Sequence, residues 1–431
     1  MNWQVELIKN SFYCFSAENN LTELCFGNSQ NNLTFSELDT KRYLHTATEI
    51  VENVLKRSMV GNINGHSSRT FLGCNIQAME IDCWRTTPLS VDLYNGRLGI
   101  VVLFCALYLS TKECKYLSYA NHTIESVVVA VLNDVDFKYS GFFEGIGGIL
   151  FAMNYLYKIT KEERLKTAML HMLSKANKYI ENDSEHDYIG GNVGLLVALL
   201  KINSFSDDDD IRRSCIEVSN YVFSKLYTRF ETKTLGNLMS YSGYAHGTAG
   251  ISASIYRYYK VTANEQALEF FNNIMNYERR AFINGDNEQW RSSVERGLFS
   301  VKGWCHGNSG LLLNRILLKE HGYHDELIDS EVKQFLESTL TDGFGANLSY
   351  CHGDIGNLMI VKYAAKILNN EALYEKCDLV FADLYRKSIK NILSNEKIFT
   401  GKLFGLMLGL SGVAFSLIKF YDYNLDDFFI I

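Results

Sequence analysis

Proline is almost missing from this chain: Pro88 is the single one in 431 residues. Proline interrupts helix interiors, so a chain with so little of it is free to be mostly helical. An excess of basic charge is missing too. Lys and Arg number 42 against 49 Asp and Glu, for a net charge of −7, which leaves no electrostatic footprint for nucleic acid. Long apolar runs are also absent. The longest uncharged apolar stretches, 98–110 and 403–418, are shorter than a bilayer-spanning helix requires and fit buried helices instead. The first residues, Met1-Asn2-Trp3-Gln4-Val5-Glu6, carry neither the basic nor the apolar region of a signal peptide. The ten cysteines follow no small-scaffold disulfide spacing. A cytoplasmic protein is expected, its thiols mostly reduced and buried but available to a metal.

Glycine is what the chain does have. Gly-x-x-Gly followed by an apolar helical run occurs seven times, at Gly96/Gly99, Gly145/Gly148, Gly191/Gly194, Gly247/Gly250, Gly307/Gly310, Gly353/Gly356 and Gly409/Gly412. Successive first glycines are 46 to 60 residues apart. The runs have helical periodicity: Ile251, Ile255, Tyr258 and Tyr259 fall at i, i+4, i+7 and i+8. Further amphipathic stretches lie between them, at 126–132, 166–180, 216–227 and 372–385, so the repeating unit is a helical hairpin. Residues 41–56 supply one additional helix ahead of the first pair. A hairpin repeat must stack on its neighbours to bury its apolar face. The glycine-led helices, such as 189–200, are apolar nearly all round and require burial on every side. An all-α fold is therefore expected, an α/α toroid of seven helical hairpins with inner and outer helix layers; an open solenoid is the alternative. The glycines are read as sites of close backbone approach and of positive φ. The expected division is an N-terminal segment, 1–40, of unassigned role, then one domain over 41–431. Cys14 and Cys25 in that segment join no motif.

The two residues before each first glycine carry the chemistry. They read Tyr94-Asn95, Phe143-Glu144, Ile189-Gly190, Ala245-His246, Cys305-His306, Cys351-His352 and Met407-Leu408. Histidine and cysteine thus recur at one repeat phase in three consecutive units. In a ring of equivalent units, equivalent positions converge at one mouth. Zinc takes thiolate and imidazole ligands, and a catalytic zinc keeps one position open beside three protein ligands. Cys305, Cys351 and His352 are the candidate ligands, with His306 an alternative to His352. Two thiolates and a neutral imidazole leave Zn²⁺ formally uncharged, a weak activator of water. An entering thiol is still deprotonated, so thiol addition fits better than hydrolysis. His246 shares the same phase, and Asp187 lies four positions before Gly191. Together they form a candidate acid–base pair, although Asp187 could equally be a loop or capping carboxylate. His45, His66, His122, His171, His186, His321 and His324 lie off the phase and receive no role. The acidic run 207–210 reads as a solvated helix entry.

These residues resemble a known family. Trp304-Cys305-His306-Gly307 and Tyr350-Cys351-His352-Gly353-Asp354-Ile355-Gly356-Asn357 are similar to the two zinc motifs of the lanthionine synthetase C-like proteins. Residues Tyr244-Ala245-His246-Gly247-Thr248-Ala249-Gly250 resemble the family's histidine motif, and Asp187-Tyr188-Ile189-Gly190-Gly191 its aspartate motif. The first and last glycine motifs resemble the cyclase half of class II lantibiotic synthetases. The resemblance implies an α/α toroid and a zinc held by Cys305, Cys351 and His352, with His246 and Asp187 as acid–base residues. The implied reaction is Michael-type addition of a peptide cysteine to dehydroalanine or dehydrobutyrine in a precursor peptide, closing a thioether ring. A separate or fused dehydratase and an exporter are the implied partners, with membrane contact only through the export complex. The chain departs from the family's single-function cyclases at Val301, with Lys302 adjacent, where they often carry arginine. It also departs at His306, where they carry tyrosine.

Three other readings compete. A LanC-like protein could add a small thiol such as glutathione to dehydrated residues. A peptide-binding module could use zinc for stability alone. An α/α-toroid glycosidase would need two carboxylates at the mouth, read from Asp187 with Glu144 or Asp354.

Overall fold

The computed structural model describes residues 40–76, 84–232, 239–283, 290–294, 303–390 and 403–429. Seven helices begin at the seven glycine pairs: Arg97–Thr111, Ile146–Thr160, Asn192–Phe205, Thr248–Thr262, Asn308–Glu320, Asp354–Ile367 and Leu410–Tyr421. They are buried on all sides, as residues 192–202 show. The helices between them are amphipathic. In Glu265–Phe282 the buried residues Ala267, Phe270, Phe271, Ile274 and Phe282 follow the 3–4 spacing of a single face. Among the described residues no helix is long and apolar enough to cross a membrane.

Why glycine leads each helix is visible in the backbone. A helix start leaves N–H groups without intrahelical partners. Here the preceding loop curls back and supplies carbonyls seven residues upstream. Ile146 N donates to Tyr139 O at 3.1 Å, Thr248 N to Tyr241 O at 3.0 Å and Leu410 N to Leu403 O at 2.9 Å. No side chain caps these three helices. The loop lies so close that a Cβ on Gly250 would clash with the Tyr244 carbonyl, and one on Gly356 with that of Tyr350. Close approach is therefore the reason for the glycines. Positive φ is not: among the described glycines it occurs only at Gly65, Gly303, Gly322 and Gly345.

The chain divides into two compact units. One comprises residues up to 129, 344–365 and 370–427. Within it Leu410–Tyr421 packs against both Arg97–Thr111 and Lys41–Leu55. The helix expected as an extra, Lys41–Leu55, is thus the outer partner of the last glycine-led helix. Thr46 meets the Tyr385 hydroxyl at 2.9 Å, and Tyr43 packs edge-on against Phe381. This unit also holds a three-stranded antiparallel sheet, an addition to the expected all-helical architecture: β1 (Ser58–Ile63), β2 (His66–Ile76) and β3 (Trp84–Pro88). Ile63 pairs with His66 across a two-residue turn, Asn64-Gly65, both at positive φ. Asn-Gly between strands is a strong local hairpin signal.

The other unit comprises 130–343, 366–369 and 428 onward. Its four glycine-led helices pack in succession, each with its own outer partner: Glu163–Ser174, Asp209–Thr232, Glu265–Phe282 and Ile328–Asp342. A buried ion network ties the last two hairpins. Arg315, 0% exposed, bonds Glu278 and, at 2.8 Å, Glu331. Glu278 also accepts from Thr248 Oγ1, two residues after His246. Such a network leaves no buried charge alone, which is the condition for tolerating it.

Gly250→Ala is expected to lower stability by about 1–3 kcal/mol, the range for overpacking. Gly61, where a Cβ would meet nothing within 4 Å, should accept alanine, at a cost within about 0.5 kcal/mol. Urea denaturation of the two variants compares them; coincident midpoints would show that the loop yields freely.

Candidate metal centre

Each loop before a glycine-led helix has the same gradient of burial. The residue three before the first glycine is fully buried: Leu93, Phe142, Tyr188, Tyr244, Trp304, Tyr350 and Leu406. Five of these seven are aromatic, a pattern that lies one residue outside the two positions carrying the Cys-His signal. Trp304 lies against Phe143 at 5.6 Å, Tyr188 at 5.9 Å, Tyr244 at 5.8 Å and Phe429 at 5.4 Å between ring centroids. Such pairs each add about 0.5–1.5 kcal/mol beyond area burial. They make a rigid floor under the loops.

The next residue of each loop is joined to its neighbour by backbone hydrogen bonds. Phe143 N donates to Ile189 O at 3.1 Å and Ala245 N to Cys305 O at 3.2 Å. Likewise Cys351 N donates to Met407 O at 3.2 Å and Met407 N to Tyr94 O at 2.8 Å. Within each unit, equal repeat phase in the sequence thus becomes equal height in the structure. Immediately before the glycine the side chains turn outward: Glu144, His246 and His352 are exposed and His306 partly so.

Cys305, Cys351 and His352 each offer a ligand atom, and these atoms lie within 4.8 Å of one another. Cys351 is buried, Cys305 half-buried and His352 exposed. Two thiols and an imidazole at this separation are a donor set that zinc accepts. These residues could hold a metal ion. Burial pushes the Cys215 and Cys377 thiols up to about 12, where they remain protonated hydrophobes.

The ring of His306, the alternative ligand, stacks on that of His246 at 5.1 Å with 22° between planes. His246 Nδ1 lies 2.6 Å from Asp187 Oδ2. The other oxygen of Asp187 accepts the backbone N–H of Gly190 at 2.8 Å and Gly191 at 3.1 Å. Asp187 therefore closes its own loop with one oxygen and meets His246 with the other. Asp92 closes its own loop the same way, accepting from Asn95 and Gly96, but its second oxygen meets Ser90 rather than a histidine. Burial depresses the His246 pKa; the hydrogen bond and charge of Asp187, with the charges of Cys305 and Glu144, outweigh it, and the net shift is upward.

Of the remaining candidates, Asp354 is buried and its Oδ1 accepts from Gly345 at 2.9 Å and Ala346 at 3.3 Å, a loop-closing role. His186 folds back onto Asp183 at 3.1 Å. Val301, Lys302, Cys14 and Cys25 lie outside the described residues.

A family model described as lanthionine synthetase C-like protein matches residues 87–431. The lacticin 481/lactococcin biosynthesis protein LcnDR2 of Lactococcus lactis subsp. lactis is 26% identical over 362 residues, 77% of this chain. The chain spans only 36% of that curated relative's length. Nisin cyclase, a solved structure, aligns with a TM-score of 0.58 at 20% identity, covering 77% of this chain and 89% of its own. That likeness shows the fold class, an all-α toroid of helical hairpins.

Asp187→Asn removes the charge that most favours protonated His246 and leaves burial opposed only by the charges of Cys305 and Glu144. The His246 pKa should therefore fall below its wild-type value. An NMR titration of the histidine ring protons in the metal-free chain measures this; an unchanged pKa would show that Asp187 does not set it.

Proposed function

The chain belongs to the lanthionine synthetase C-like family, and from that premise we propose that it is a zinc-dependent lanthionine cyclase. It closes thioether rings in a dehydrated precursor peptide of the lantibiotic type. The observation that carries the reading is the meeting of two thiols and an imidazole beside a histidine–aspartate pair.

Cys305, Cys351 and His352 would hold the zinc. Bound there, zinc would lower the pKa of a peptide thiol, and two thiolate donors would leave that sulfur nucleophilic. The chain's own residues manage the rest. The thiolate sulfur forms a bond to the β-carbon of dehydroalanine or dehydrobutyrine, and the C=C pair shifts to the α-carbon as an enolate. Protonated His246 gives its proton to that carbon. Asp187 keeps the imidazolium favoured and engages its Nδ1, so the donating edge is Nε2. His246 is recharged from solvent, which balances the proton the thiol released. The aromatic floor around Trp304 keeps the loops from yielding as substrate binds.

The dehydrated residues require a dehydratase, separate or fused, and the product an exporter. The reading places the work in the cytoplasm, on one domain covering 41–431, with membrane contact only through the export complex.

Cys305→Ala and Cys351→Ala are each expected to lose zinc, read by metal analysis, and with it ring closure. His246→Ala should keep zinc and lose ring closure by at least about a hundredfold, in line with general acid–base contributions. Mass spectrometry and free-thiol counts on a dehydrated cysteine-containing peptide follow the reaction. Full zinc in either cysteine variant, or normal closure by His246→Ala, would refute the assignment. Adducts only with added glutathione would move the activity to small-thiol addition.

A further inference from the structure

An imidazole held by one hydrogen bond is not oriented. The χ2 torsion of histidine is broad, so the ring of His246 can swing about the axis of its bond to Asp187. Its side chain is 38% exposed, too open for ordinary packing to stop that rotation. The face of the ring is nonetheless covered. His306 stacks on it at 5.1 Å, nearly parallel, and Tyr241 backs His306 at 5.3 Å. The two loops cannot drift apart without cost. Ala245 N bonds Cys305 O at 3.2 Å, and a Cβ on Gly243 would collide with the Cys305 carbonyl. Tyr241 is fixed in turn, its carbonyl capping Thr248 N at 3.0 Å and its backbone bridging to Ser293.

We propose that His306 is a positioning residue: its flat ring, backed by Tyr241, fixes the plane of His246 so that Nε2 faces the reacting carbon. A hydrogen bond on one edge and a ring on one face together leave His246 a single orientation. What position 306 requires is then an aromatic plane, neither a proton nor a metal ligand. Phenylalanine and tyrosine should serve there, and alanine should not. The inference rests on the proposed cyclase reading for its kinetic consequence, but the stack itself can be tested without activity.

The test uses the full chain loaded with zinc and a synthetic peptide bearing one dehydroalanine and one cysteine. His306→Ala should lower kcat by about tenfold or more, the scale of a misoriented catalytic group, with little change in KM and full zinc. His306→Phe and His306→Tyr should restore kcat to within about threefold of wild type, since an aromatic plane again supports the ring. In the metal-free chain, the His246 ring-proton signal, identified by its loss in His246→Ala, should move in His306→Ala. The same signal should stay near its wild-type region in His306→Phe. Three results would overturn the proposal: a His306→Ala variant as fast as wild type, aromatic variants as slow as alanine, or loss of zinc in His306→Ala. If the wild-type chain binds zinc but closes no ring, the cyclase reading fails, and the NMR comparison still decides on the stack.

Discussion

Backbone hydrogen bonds between successive loops are the constraint from which the site follows. Ala245 N to Cys305 O and Cys351 N to Met407 O each join residues two positions before a leading glycine. Within each unit those bonds convert a repeat phase, a property of sequence, into a shared height. The side chains at each height then have one environment. In the unit that spans 130–343, one layer is the aromatic floor with Trp304, the next carries Cys305, and the outermost carries Glu144, His246 and His306. A metal donor set and a proton donor can be placed by changing single residues at fixed positions, without altering any helix.

The same loops explain the glycines and the helix starts together. Curling back to give carbonyls to the first helical N–H groups satisfies donors that side-chain caps would otherwise serve. It also brings the loop so near the helix that Gly250 and Gly356 have no room for a Cβ. Asp187 is the loop-closing carboxylate of one such turn, as Asp92 is of another. Its difference lies in its second oxygen, which reaches His246. A structural acceptor thus reaches a histidine as well, with no new backbone geometry. The Arg315–Glu278–Thr248 network supports the same histidine loop from below.

Much of this is legible in the sequence. The seven glycine pairs mark the seven described helices that begin there, and the Cys-His repeats at 305 and 351 mark residues that could hold a metal ion. What is not legible depends on information that periodicity discards. The aromatic layer sits one residue beyond the pair that carries the Cys-His signal. Lys41–Leu55 looks surplus because its partner, Leu410–Tyr421, lies at the far end of the chain, and a local pattern cannot reveal so distant a pairing. The small sheet has its one clear signal at Asn64-Gly65, a two-residue mark in a chain dominated by helical period. For Asp187 the sequence offers two alternatives, a loop carboxylate or a partner of His246, and cannot show that each oxygen makes one of those contacts. The ring contact of His306 with His246 likewise depends on side-chain direction, which spacing does not give.

The central claim is that two cysteines and one histidine, distant in sequence, surround a single zinc with a position left open. X-ray absorption spectroscopy of the purified zinc-loaded chain tests it most directly. The account requires two sulfur scatterers near about 2.3 Å and one imidazole nitrogen near about 2.0–2.1 Å, with a third sulfur appearing when a thiol substrate is added. A zinc surrounded only by nitrogen and oxygen, or one whose sulfur count does not rise with the thiol, would contradict it.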